Sequence, residues 1–223
     1  NPTQFNNPKD LETYPRTVEA DQQMLIERSC DILLLPGFEA VYPEGVQPYE
    51  IDLEGLDQGM EGAFRPGHFK GVCMVVQRLL EMVEPDKAFF GKKDFQQLAV
   101  IRKMVDIRKI GVEIIGVPIK RAENGLALSS RNALLTPTFF ELAPRIFQAL
   151  RSGVELAKTQ REAAVVKAHI IAQFEETALE VEYAEIVDND TLLPVAEIAG
   201  NSTVCIVVFA GEVRLIDNMQ FEE

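Results

Sequence analysis

Tryptophan is absent from these 223 residues, and histidine and cysteine are scarce, with two of the first and three of the second. Cys30, Cys73 and Cys205 lie far apart and form no Cys-x-x-Cys pair, and Cys73 and Cys205 have apolar neighbours. That spacing argues against a disulfide framework or thiolate metal site and predicts buried, reduced thiols suited to a reducing cytosol. His68 and His169 are too distant to form a paired-histidine metal motif, and no Ser-His-Asp motif presents itself, so neither a metalloenzyme nor a triad hydrolase is indicated. The sequence holds no Walker loop and no Gly-x-Gly-x-x-Gly string. No apolar run approaches the ~20 residues of a membrane span, and no basic-then-apolar leader is read, so no membrane partner is expected. Basic residues are in deficit, 22 against 35 acids, giving a formal charge of −13 that repels nucleic acid and anionic lipid over most of the surface. A phosphate site on such a chain has to be a local basic pocket.

What is present is an ordinary apolar fraction of 47%, enough for a core, and two polar clusters where apolar patterning breaks. Phe89-Phe90-Gly91-Lys92-Lys93-Asp94-Phe95-Gln96-Gln97 reads as strand, tight turn and helix start. Glycine admits close approach of a ligand, the free N–H groups of the helix after Asp94 point outward, and Lys92 and Lys93 add charge at the end of the dipole that favours anions. Leu128-Ser129-Ser130-Arg131-Asn132, after the glycine of Asn124-Gly125, offers two hydroxyls and a guanidinium. Together the clusters suggest an enzyme handling a nucleoside triphosphate.

The order of elements predicts an α/β fold. Thr17 caps a helix over Val18 to Arg28, with Asp21 and Glu27 outward and Met24 and Leu25 inward. Ile32-Leu33-Leu34-Leu35-Pro36 reads as a parallel strand covered on both faces. Residues 36 to 67 form a long loop of the kind that is functional or mobile. His68 to Val83 is a helix with Val72, Val75, Val76, Leu79, Leu80 and Val83 on one face, stopped by Pro85. Lys87 to Phe90 is a strand, Asp94 to Lys109 a helix and Val112 to Val117 a strand, an alternation that implies a parallel sheet. Beyond Leu135 the pattern predicts helices over Pro137 to Ser152 and Arg161 to Leu179, then strands over Val181 to Val187, Thr203 to Ala210 and Val213 to Ile216 in an antiparallel meander. A boundary near Pro118 to Arg121 would divide residues 1–119 from a smaller α+β domain at 120–223 that presents the Ser-Ser-Arg cluster back to the first, as a lid over a shared crevice.

Each candidate has a plainer reading beside the functional one. Lys92 and Lys93 are either solvated lysines or an anion site; Asp94 either caps a helix or meets a ribose hydroxyl or magnesium. One of Gln96 and Gln97 can face a polar substrate, since a buried amide is costly unless paired. Ser129, Ser130 and Arg131 either cap a turn or clamp phosphate. His68 begins a helix where its polar tip can line the crevice, whereas His169 reads as a surface or packing residue.

Asn1-Pro2-Thr3-Gln4-Phe5-Asn6, Tyr14-Pro15-Arg16-Thr17, Glu61-Gly62, Arg65-Pro66-Gly67-His68-Phe69-Lys70-Gly71-Val72, the 89–98 segment, Gly125-Leu126-Ala127-Leu128-Ser129-Ser130-Arg131-Asn132 and Arg214-Leu215-Ile216-Asp217-Asn218 together resemble the pantothenate synthetase (pantoate–β-alanine ligase) family, end to end and in order. The resemblance implies a Rossmann-like nucleotidyltransferase domain with a small C-terminal domain, usually in a cytoplasmic homodimer. It implies ATP-dependent condensation of (R)-pantoate with β-alanine through a pantoyl adenylate, assisted by Mg2+. By resemblance Gly91, Lys92, Lys93, Asp94, Lys120, Leu128, Ser129, Ser130 and Arg131 bind ATP. Lys93, Arg131, Ser129 and Ser130 reach its phosphates, with Lys93 the main transition-state contact. Gln4, Gln97, Tyr14 and His68 surround pantoate, and Asp21 is the acid on the magnesium side. Lys92 stands where many members carry glutamate. The family's first strand, its Pro-Thr-Met-Gly turn and its His-x-Gly-His helix start precede the string on which this chain opens. The resemblance therefore implies an N-terminally incomplete nucleotide domain; the alternative reading is a catalytically silent fragment that only dimerises or binds nucleotide weakly.

Overall fold

The computed structural model describes residues 1–5, 11–12 and 14–221; Asn6 of the first motif lies outside them. Helix α1 spans Val18–Glu27, and one-turn helices α2 and α3 span Phe38–Val41 and Glu61–Phe64. Helix α4, His68–Val83, leads to strand β1, Lys87–Gly91, helix α5, Phe95–Arg108, and strand β2, Glu113–Val117. β1 and β2 pair in parallel, Lys87 opposite Glu113 through Gly91 opposite Val117. Leu53, Phe69, Val72, Leu80, Val100, Ile101 and Met104 close the core between this sheet and α4 and α5. The 36–67 stretch is thereby anchored: Leu53 is buried in that core and Met60 in a smaller one.

Helices α6, Pro137–Leu142, α7, Arg145–Leu156, and α8, Ala163–Ala172, precede strands β3, Leu179–Asp188, β4, Ser202–Ala210, and β5, Val213–Gln220. The strands form the expected antiparallel meander in the order β3-β4-β5. Ile146, Leu150, Val166 and Ile170 of α7 and α8 pack on Ile186, Val204 and Ile206 of the sheet. The chain thus has an α/β part built on a parallel sheet and a smaller α+β part built on an antiparallel one. A third cluster joins them, with Met60, Val187, Leu192 and Cys205 packed by Phe95 and Ala99 from the start of α5.

Several expectations are corrected. Ile32 to Leu35 is not a strand: these four side chains are 85%, 43%, 52% and 58% exposed. Among the described residues β1 and β2 pair only with each other, and the run pairs with neither. Met24 is exposed rather than inward, and α1 buries no residue. Val83 of α4 is exposed, because Glu84 turns left-handed at the cap and ends the buried face. Cys30 is exposed, while Cys73 and Cys205 are buried as expected and all three are free. The helix foreseen over 137–152 breaks at Ala143 and Pro144, since a proline ring cannot continue an established turn. That foreseen over 161–179 ends at Ala172, and Leu179 already belongs to β3.

Candidate functional site

The turn after β1 is held from two sides. Lys92 N–H donates to the Val117 carbonyl at the end of β2 (2.8 Å), and Asp94 N–H donates to the Gly91 carbonyl (3.3 Å). From β5, the Asn218 side-chain amide donates to the Lys92 and Lys93 carbonyls at 3.0 and 2.8 Å. Asp94 is the residue before α5, and its side chain makes no capping hydrogen bond. Lys93 faces a hollow, and among the described residues its ammonium has no ion-pair partner. Lys92 instead lies along β2, its Cε close to Gly116. Gln96 is the paired, buried amide: it donates to the Leu56 and Gly59 carbonyls and accepts from Glu61 N–H. Gln97, the next residue, faces the hollow.

The Ser-Ser-Arg cluster follows a turn that only glycine satisfies. Gly125 has φ of +92°, and a Cβ there would lie 2.2 Å from the Phe147 ring. Arg121 stacks over the same ring at 4.3 Å and grips Asp217 through two hydrogen bonds of 2.5 and 2.8 Å. Leu128 N–H donates to the Lys120 carbonyl. Ser129 caps the 3-10 turn Ser130–Leu134, its hydroxyl accepting from Arg131 N–H. Ser130 Oγ donates to Tyr14 Oη at 3.3 Å, and the Arg131 guanidinium lies 5.9 Å from the Tyr14 ring centre. The plainer reading of Ser129 as a cap is therefore true of its geometry and compatible with a ligand contact.

Gln4 is set in place by close backbone packing. The 3-10 turn Pro2–Gln4 lies so near α4 that a Cβ on Gly71 would come within 2.5 Å of the Thr3 carbonyl oxygen. His68 Nδ1 donates to the Gln4 carbonyl at 2.8 Å, which leaves Nε2 as an acceptor in the neutral ring. Burial, with the Arg65 charge beside it, holds His68 below its ordinary value of 6.5 despite the Gln4 hydrogen bond and the Glu61 and Asp94 charges.

Two wall residues, Glu61 and Arg214, and the partners behind them escaped the sequence reading. Arg214 of β5 makes two 2.7 Å hydrogen bonds to Glu61 and two more to Glu182, and Tyr183 Oη donates to Glu61 at 2.9 Å. Burial works to raise Glu61, but the Arg214 hydrogen bonds and charge, with Tyr183 and Arg65, outweigh it and hold the carboxyl below its ordinary value. Burial and then the Glu61 charge push the Tyr183 hydroxyl upward. Glu61 and Arg214 stood inside the quoted motifs, but a separation of 153 residues gives no sign that they meet.

These elements enclose a hollow of about 450 Å³, within the size range of small-molecule sites. Gln4, Tyr14, His68, Lys93, Asp94, Gln97, Leu128, Ser129, Ser130 and Arg131 all line it. Gly91, Lys92, Lys120 and Asp21 are not among its lining residues. Asp21 is exposed on α1, accepting a hydrogen bond from Thr17. No cluster of three or more metal-ligating side chains occurs among the described residues, and the Glu61 and Asp217 carboxylates at the hollow are already engaged by arginines. Asp94 lines the hollow and makes no capping hydrogen bond, so one carboxylate there can meet a cation, but the set does not form a multi-carboxylate resident magnesium site. Cations and neutral amides on facing walls can instead hold a polyphosphate beside a polar carboxylic acid.

Comparison with known proteins gives a family model described as Pantoate-beta-alanine ligase, matching residues 1–220. The pantothenate synthetase of Porphyromonas gingivalis is 46% identical over 225 residues, covering all of this chain and 80% of the relative. That of Bacteroides fragilis is also 46% identical, with 79% of the relative covered. A crystal structure of pantothenate synthetase from Thermus thermophilus superposes with a TM-score of 0.94 at 39% identity, covering 100% of this chain and 81% of that one. A pantoate-beta-alanine ligase from Francisella tularensis, complexed with beta-gamma ATP and beta-alanine, gives a TM-score of 0.78 at 33% identity, covering 99% and 76%.

Proposed function

The chain belongs to the pantoate-beta-alanine ligase family, and from that premise we propose that its hollow joins pantoate to β-alanine at the expense of ATP. In the first step a pantoate carboxylate oxygen attacks the α-phosphorus of ATP, the bond to the bridging oxygen breaks, and pyrophosphate leaves. In the second the β-alanine amine attacks the acyl carbon, the acyl–oxygen bond breaks, AMP departs with the oxygen that came from pantoate, and an amine proton is released. The first step brings two anions together, so the site must supply fixed positive charge and oriented donors where charge accumulates.

The observation that carries this reading is the convergence of Lys93, Arg131 and Gln97, from separate elements, on one hollow. Lys93 and the first-turn amides of α5 take the phosphates, with Ser129, Ser130 and Arg131 on the opposite wall. Lys120 contributes to the ATP site through its backbone, Gly91 and Lys92 shape the turn that carries Lys93 to it, and Leu128 and Asp94 border the nucleotide. Gln4 and Gln97 hold the hydroxyl and carboxylate of pantoate, and Tyr14 and neutral His68 close its pocket. The Francisella relative described with beta-gamma ATP and beta-alanine supports this choice of substrates. Magnesium enters as the counter-ion of the ATP polyphosphate, part of the substrate; nothing in the surroundings of Asp21 assigns it that role. Residues 1–119 act as the nucleotide and pantoate part and residues 120–223 as the lid, in a cytoplasmic homodimer.

The test is isotopic. Pantoate labelled with 18O in its carboxylate, incubated with ATP and β-alanine, should pass one labelled oxygen to AMP, read by mass spectrometry. Unlabelled AMP would overturn the adenylate route, and absence of any AMP would favour a silent binding module.

A further inference from the structure

We infer that Asn218 is a positioning residue that sets the polarity of the phosphate-facing turn, an inference resting on the assignment of Lys93 to the ATP phosphates. Asn218 is only 6% exposed, and the polar groups it uses are committed. Its own N–H donates to Asp217 Oδ1 (2.8 Å), and its carbonyl accepts from Arg121 (3.4 Å). Its side-chain nitrogen has two protons, and both are used on consecutive carbonyls, those of Lys92 and Lys93.

Two successive carbonyls held on one side have a geometric consequence. In a planar trans peptide the C=O and N–H point in opposite directions. Drawing the Lys92 carbonyl toward Asn218 therefore turns the Lys93 N–H away from it, and among the described residues that N–H has no other hydrogen-bond partner. Drawing the Lys93 carbonyl the same way keeps its negative end off the approach to the α5 N-terminus, where an oxygen dipole would repel a polyphosphate. Asn218 thus withdraws two acceptors and leaves a donor, beside an ammonium that already faces the hollow. Arg121 and Asp217 hold the bracket, because Asp217 is 4% exposed and accepts from both the Arg121 guanidinium and the Asn218 N–H. A side chain at the end of the third antiparallel strand in this way determines how a turn 125 residues earlier meets its ligand.

Asn218→Ala, Asn218→Asp and Lys93→Ala in the full chain test this. Both Asn218 variants should lower kcat/KM for ATP by about 10²-fold, the cost of a small misplacement at a reacting centre. The KM for pantoate should stay within about twofold, and the Asp variant should be no better than Ala, because it sets an acceptor against two carbonyls. Backbone amide exchange, which needs no turnover, should accelerate at Lys92 and Asp94 while β4 keeps its protection. ATP kinetics within about threefold of the parent, unchanged exchange at the turn, or equal loss at β4 would overturn the inference. Normal ATP kinetics in Lys93→Ala would instead overturn the phosphate assignment beneath it.

Discussion

Burial decides which form of His68 the folded molecule holds. Its ring is kept below its ordinary 6.5 chiefly by burial, so the unfolded chain binds the proton more readily than the native one. The sign follows: stability from the neutral ring is complete above pH 6.5 and declines as pH falls below it, by at most about 1.4 kcal/mol per pH unit for one proton. Urea unfolding between pH 8 and pH 5 should show this loss in the parent and a flatter profile in His68→Gln; identical slopes would show that the ring protonates equally in both states. Glu61 acts at lower pH, since a depressed carboxyl protects the fold until acid reaches it. At this scale Lys93, Gln97 and the Ser-Ser-Arg cluster were legible because polar groups interrupt apolar patterning where a strand yields to a helix. Glu61, Tyr183 and Arg214 were not, because what marks them is mutual contact across the fold.

The unit from β1 to β2 was readable nearly to the residue, and so was α4, since Gly91 separates the first strand from its helix and Gly67 and Pro85 bound α4. Ile32 to Leu35 misled because an all-apolar run records a tendency to pair, and pairing needs a neighbour. Pro144 sits inside an otherwise helical apolar pattern, and it divides α6 from α7. The packing of α4 on the Pro2–Gln4 turn yields a prediction with a diagnostic sign. Gly71→Ala in a free helix would add about 1 kcal/mol of helix stability. Here the methyl would press on Thr3 backbone at 2.5 Å, so the variant should lose about 1–3 kcal/mol in denaturant unfolding and raise the KM for pantoate about tenfold by displacing Gln4. A net gain in stability would mean the turn moves aside freely.

Across the molecule, the hollow exists because the two sheets are fastened together around it. Asn218 brackets the Lys92–Lys93 turn, Arg214 joins Glu61 to Glu182, Ser130 meets Tyr14, and the cluster around Met60 and Cys205 fills the space behind. Removing one partner of a buried ion pair such as Glu61–Arg214 strands the other charge, so these fastenings are costly to break singly. With −13 spread over the chain, Lys93 and Arg131 at the hollow, where Arg214 and Arg121 already hold the Glu61 and Asp217 carboxylates, make it the favourable approach for a polyanion. Composition announced that such a pocket had to be local; which residues would compose it depended on strands that meet only after folding.

The contrast among the three thiols gives the molecule a built-in reporter of its own integrity. Burial drives Cys73 up to about 12 and raises Cys205 as well, whereas Cys30 lies open on the surface. At neutral pH a maleimide should therefore add once to the native chain, at Cys30, and three times after urea, with intact mass counting the adducts. A second rapid adduct without denaturant would reveal that one of the two interior sulfurs is reached by breathing of the fold, and its sequence position would say which core opens first.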